Sequence, residues 1–124
     1  MKVLLVADSP WVVNQTRSAL GGSHDIVEVS DPYEAEAVSM TAEADIVLID
    51  MQVGSMGGMA ITRTIKGVAL TGDAPDAPII LLLDRTADEF IAKRSGADAW
   101  LVKPFTSQDL AAILNTVVPA AERS

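Results

Sequence analysis

The sequence predicts an α/β domain: an open, doubly wound parallel sheet of five βα units, arranged as three α/β/α layers. Three observations predict it. Five short runs, at residues 2–7, 25–29, 45–50, 78–83 and 99–102, read as strands, and the first, third and fourth are apolar throughout most of their length, as strands buried on both faces are. Helix-start signals stand between the strands in strict alternation, which favours right-handed crossovers and a parallel sheet. Three of the strands end on a charged residue, Asp8, Asp50 and Lys103, at the edge where open α/β sheets gather their functional groups.

The elements follow in order. The first strand, Val3-Leu4-Leu5-Val6-Ala7, leads into Ser9-Pro10, an N-cap with proline at the first helical position. Gly21-Gly22 sits where that helix should end. The second strand is shorter and more mixed, as an edge strand would be. Asp31-Pro32-Tyr33-Glu34 has the spacing of a capping box and opens the next helix. The third strand, Asp45-Ile46-Val47-Leu48-Ile49-Asp50, and the fourth, Pro78 to Leu83, are the most apolar. Thr86-Ala87-Asp88-Glu89 has capping spacing again, and Gly96 marks a helix end. The fifth strand, Ala99-Trp100-Leu101-Val102, belongs at the other edge. Thr106 caps a last helix whose stripe of Leu110, Ile113, Leu114, Val117 and Val118 faces the core.

Residues 1–118 are expected to form a single domain and 119–124 a frayed tail. No apolar stretch reaches the ~20 residues of a membrane span, and Met1-Lys2-Val3 runs directly into a strand with no secretory signal. The chain has no cysteine, which excludes disulfides, thiolate metal sites and cysteine nucleophiles. A cytoplasmic location is the expectation. The net charge of −8 argues against direct contact with nucleic acid. Residues 1–62 carry two basic and nine acidic side chains, against seven and eight in 63–124. The acidic half, with Glu34, Glu36 and Glu43, reads as a solvated helix face or as one that steers a basic partner.

Asp50 is the leading candidate site residue. A carboxylate in the middle of a buried strand would be desolvated at high cost, whereas at the strand's C-terminal tip it faces a crevice. Asp8 and Lys103 occupy equivalent tips, so the three suggest one site.

These residues resemble the receiver domain of two-component response regulators. The matching pieces are Val3 to Pro10, Asp45 to Met51, Met56-Gly57-Gly58, Pro78 to Leu83, and Gly96-Ala97-Asp98-Ala99-Trp100-Leu101-Val102-Lys103-Pro104-Phe105. The resemblance implies a flavodoxin-like fold with strand order 2-1-3-4-5. It implies that Asp50 accepts a phosphoryl group from a histidine kinase or phosphotransfer protein, as a phosphoacceptor rather than an enzyme in the usual sense. Asp8, the Asp50 side chain and the Gln52 backbone carbonyl would hold Mg²⁺, a cation suited to such hard oxygen ligands. Lys103 would pair with Asp50 and then with the phosphoryl oxygens. Leu83 and Trp100 match the switch positions. The face carrying Phe90, Ile91 and Trp100 matches the surface used for dimer or target contacts, so a monomer or weak homodimer acting on a downstream protein is expected.

Three positions depart from the family pattern. Ala7 replaces one of two acids at the end of the first strand, which should weaken Mg²⁺ binding. Leu83 replaces a Thr or Ser whose hydroxyl would bond the phosphoryl group, which breaks the hydrogen-bonded step from Asp50 to Trp100. Val53-Gly54 replaces Met-Pro after the acceptor. Two readings therefore stand: a stand-alone atypical receiver phosphorylated on Asp50, and a pseudo-receiver that keeps the fold as an interaction module. A cofactor-binding enzyme on the same architecture is disfavoured, since Asp8-Ser9-Pro10-Trp11 is no phosphate cradle and Gly54 to Gly58 matches no nucleotide-binding pattern. His24 reads as a solvated turn residue, Trp11 as a cover for the site mouth, part of a partner surface or a helix-packing group, and Met51, Met56 and Met59 as core filling or adaptable contact residues. Asp84 and Arg85 sit beside the site, with local pairing one option and repulsion of phosphate by Asp84 left open.

Overall fold

In a computed structural model the described residues are 2–20, 25–29, 44–51, 62–63 and 78–117. The apolar runs become β1 (Lys2–Val6), β2 (Asp25–Val29), β3 (Ile46–Asp50), β4 (Ile79–Leu83) and β5 (Ala99–Val102). All pair in parallel, in the order β2-β1-β3-β4-β5. The two mixed strands are the edges, as their composition predicts. Helices α1 (Pro10–Leu20), α2 (Glu89–Ser95) and α3 (Ser107–Val117) lie among the described residues.

Register is fixed at the strand starts by two acids acting in the same way. Asp45 donates its N–H to the Lys2 carbonyl at 2.8 Å and accepts the Lys2 N–H on its carboxylate at 2.7 Å. Asp98 does the same with Ile79, at 2.9 and 2.8 Å. Each loop-end acid thereby locks the first residue of the neighbouring strand, and a one-residue slip would forfeit both bonds.

The sheet separates two apolar cores by the period-two alternation of its side chains. Leu4, Val6, Val47, Ile49, Leu81 and Leu83 share one face with Ala92 of α2, and Trp100 packs against them. Val3, Leu5, Ala7, Leu48, Ile80 and Leu82 share the other face with Val12 of α1 and with Phe105, Leu110 and Leu114. Of the predicted α3 stripe, Leu110 and Leu114 are buried and Ile113 and Val117 pack partly against this core. Val118 lies outside the described residues.

Local signals hold with one shift. Thr106 caps α3 reciprocally: its hydroxyl accepts the Asp109 N–H at 3.0 Å, and the Asp109 carboxylate accepts the Thr106 N–H at 2.9 Å. Gly96 ends α2 at φ 93°, a left-handed conformation that favours glycine. The capping pair expected of Thr86 and Glu89 forms one residue earlier. The Asp88 carboxylate accepts the Arg85 N–H at 3.1 Å, a 3₁₀ turn covers Thr86–Asp88, and α2 begins after it. Asp88 is the shorter acid and reaches the turn's backbone, leaving Glu89 for another partner. The predicted signals at Gly21-Gly22, at Asp31 to Glu34 and in the 119–124 tail lie outside the described residues, as do His24 and the acidic side chains of Glu34, Glu36 and Glu43.

Candidate functional site

The strand ladders decide which side chains meet at the C-terminal edge of the sheet. Val6 is level with Ile49, and Leu83 with Val102. Continuing one residue, Ala7 lies level with Asp50 and Asp84 with Lys103. The Lys103 N–H extends the ladder by bonding the Leu83 carbonyl at 2.7 Å. By alternation, Ala7, Asp50, Asp84 and Lys103 belong to the face covered by α1 and α3, whereas Leu83 and Trp100 belong to the face covered by α2.

Asp50 and Lys103, 53 residues apart in sequence, are in contact. The Lys103 ammonium donates to Asp50 Oδ1 at 2.5 Å, and the Asp50 side chain is only 1% exposed. The same ammonium lies 3.0 Å from Asp84 Oδ1. Asp84 therefore pairs with Lys103 rather than with Arg85, and Arg85 turns to Asp88 at 3.4 Å. Burial pulls the Lys103 pKa down, but hydrogen bonds to Asp50 and Asp84 and the charges of both carboxylates prevail, and its pKa lies above the ordinary 10.5. Lys103 is thus a firmly charged ammonium shared between two acids.

Asp8 sits at the neighbouring strand tip, exposed. It lines an open cleft with Ala7, Pro10, Val13, Asn14 and Glu28, on the β1–α1 side of the Asp50–Lys103 pair. Gln52 lies outside the described residues. Among the described residues no three His, Cys, Asp or Glu side chains group closely enough to hold a metal. A divalent cation bound at this edge would find hard oxygen donors in carboxylates such as those of Asp8 and Asp50, the kind that suits Mg²⁺.

On the opposite face, Leu83 is fully buried in the core against which Trp100 packs. The Trp100 indole N–H donates to Glu89 Oε2 at 3.1 Å, and the Lys93 ammonium lies 6.0 Å from the ring centroid. Phe90 and Ile91, on α2, are 64% and 45% exposed. Trp11 stacks edge-on against the buried Phe105, with ring centroids 5.3 Å apart, and remains 40% exposed. The Lys103–Pro104 peptide is cis.

The sequence reading set Asp84 beside the site but did not single it out as a partner of Lys103. The rule that singled out Asp50, an acid directly after a buried apolar strand, applies equally to Leu81-Leu82-Leu83-Asp84. Its partner was hidden because only the β4–β5 register sets Asp84 level with Lys103.

Comparison with known proteins agrees with this fold. The model of the response regulator receiver domain matches residues 3–115. The response regulator protein PmrA of Pseudomonas aeruginosa is 32% identical over 90% of this chain and 50% of its own length. The transcriptional regulatory protein YvrH of Bacillus subtilis is 29% identical over 89% of this chain and 46% of its own. The chain therefore spans about half the length of these curated relatives. Among solved structures, the chemotaxis protein CheY4 of Vibrio cholerae superposes with a TM-score of 0.80 at 27% identity, covering 94% of this chain and 97% of that one.

Proposed function

Because the chain belongs to the response regulator receiver family, we propose that Asp50 accepts a phosphoryl group from a histidine kinase or phosphotransfer protein. The observation that carries the proposal is the buried Asp50 carboxylate held by the Lys103 ammonium at 2.5 Å. A carboxylate attacks phosphorus as a nucleophile, and an adjacent fixed cation offsets the charge that gathers on the transferring oxygens. Receiver domains generally bind Mg²⁺; here Asp8 and Asp50 would hold it, with the Gln52 carbonyl as a further ligand. The ion supplies charge neutralisation at the phosphoryl oxygens. Lys103 orients Asp50 and then meets a phosphoryl oxygen.

Output through contacts made by this domain itself, on the Phe90, Ile91 and Trp100 face, is part of the same proposal. A native polypeptide much longer than 124 residues on a denaturing gel would count against it. A cytoplasmic location accords with a kinase partner, and no helix among the described residues is long and apolar enough to cross a membrane.

The test is incubation with Mg²⁺ and acetyl phosphate, followed by intact mass measurement. One acid-labile phosphoryl group should appear on the wild type and be lost in Asp50→Asn. A second reading, a pseudo-receiver whose contacts ignore phosphorylation, is favoured by one feature: the buried Leu83 beside Trp100 has no hydroxyl to report on Asp50. It predicts that phosphorylated and unphosphorylated protein bind the downstream target equally.

A further inference from the structure

We propose that Asp84 is a built-in competitor for Lys103, which holds the ammonium back from a phosphoryl group arriving on Asp50. The inference rests on the reading of Asp50 as the acceptor. Its basis is that one ammonium, 2.5 Å from Asp50 and 3.0 Å from Asp84, serves two carboxylates. The pair is not a chance meeting of surface side chains. The Lys103 N–H is bonded to the Leu83 carbonyl at 2.7 Å, so the ladder that positions Lys103 also positions Asp84 beside it.

In the transfer, an Asp50 oxygen attacks phosphorus and the bond from phosphorus to the donor atom breaks: the electron pair leaves on the histidine nitrogen of a kinase, or on acetate when acetyl phosphate is the donor. The acceptor thereby exchanges a carboxylate charge for a phosphoryl dianion set further from the strand. Lys103 must follow that charge outward to stabilise it. Asp84 undergoes no change in the reaction and keeps its claim on the same single positive charge. Its carboxylate therefore opposes the transition state by occupying Lys103, and it acts as a positioning residue rather than a catalytic one.

The experiment measures the rate of Asp50 phosphorylation by acetyl phosphate in Mg²⁺ for the wild type, Asp84→Asn, Asp84→Glu, Lys103→Met and the Asp84→Asn/Lys103→Met double variant. Asparagine keeps the size and removes the charge, so Asp84→Asn should be about tenfold faster, a fraction of what one preorganised donor contributes to a transition state. Asp84→Glu restores the carboxylate and should return the rate toward the wild type, a rescue that a merely structural role would not give. In the Lys103→Met background the Asp84→Asn change should make no difference. Equal or slower phosphorylation of Asp84→Asn overturns the inference and leaves the acceptor role intact. Acceleration that persists without Lys103 also overturns it, since Asp84 would then act by direct repulsion. No Asp50-dependent modification in any variant overturns both the inference and the acceptor reading.

Discussion

Asp50 is a buried carboxylate met by the Lys103 ammonium. Removing the cation alone is therefore costly: Lys103→Met should lower folding stability by about 3 kcal/mol, read from urea midpoints. The Asp50→Asn/Lys103→Met double variant should recover part of that loss, because the buried Asp50 charge is gone while the Asp84 carboxylate has still lost the ammonium. The same contacts set a pH limit. With its folded pKa raised, Lys103 contributes its full stabilisation below 10.5, the ordinary value. That contribution fades as pH climbs from there through the higher folded value. Urea midpoints should fall in this alkaline range for the wild type, and fall less steeply for Lys103→Met. The Asp50–Lys103 contact was legible in the sequence, because an acid ending an apolar run and a lysine opening Lys-Pro-Phe both mark strand tips. Asp84 was legible as a strand-tip acid, but its partner depended on register.

At the level of elements, β4 sends neighbouring residues to opposite faces. Leu83 fills the core beneath α2 and Trp100, while Asp84 reaches Lys103. Replacing Leu83 with threonine should cost about 2–3 kcal/mol, since it removes buried apolar volume and introduces a hydroxyl into that core. In exchange it should make Trp100 fluorescence respond to phosphorylation of Asp50. An unchanged emission spectrum in phosphorylated Leu83→Thr would show that the hydroxyl is not the missing link. The Trp100–Glu89 hydrogen bond was invisible in the sequence reading, which gave Glu89 to a helix cap. Competition between two acids one residue apart decided the outcome: Asp88 took the turn, and Glu89 was left to reach β5. Strand identity, strand order and the cap at Thr106 were readable because each rests on local composition or spacing. Contacts between elements were not.

For the whole molecule, the alternation of strand runs and helix-start signals made the five-stranded parallel sheet readable, and the edge positions of β2 and β5 followed from their mixed composition. The proposed metal site was the least readable part: Asp8 and Asp50 stand at the ends of separate strands, and Gln52 lies outside the described residues. The exposed side chains of Phe90 and Ile91 on α2 give the domain an apolar surface on an otherwise acidic chain of net charge −8. If that face makes the expected weak dimer, sedimentation equilibrium should show association with a Kd on the order of 1 mM. Phe90→Ser with Ile91→Ser should abolish it while changing folding stability by less than about 0.5 kcal/mol, as exposed substitutions do. Association that survives both changes would place the contact elsewhere.

The two adjoining letters at the end of β4 serve separate masters. If Asp50 is the acceptor, altering position 84 should retune how readily it takes its cargo, and altering position 83 should decide whether the far side of the sheet hears of it. Sensitivity and reporting would then be editable one at a time, each by a single codon.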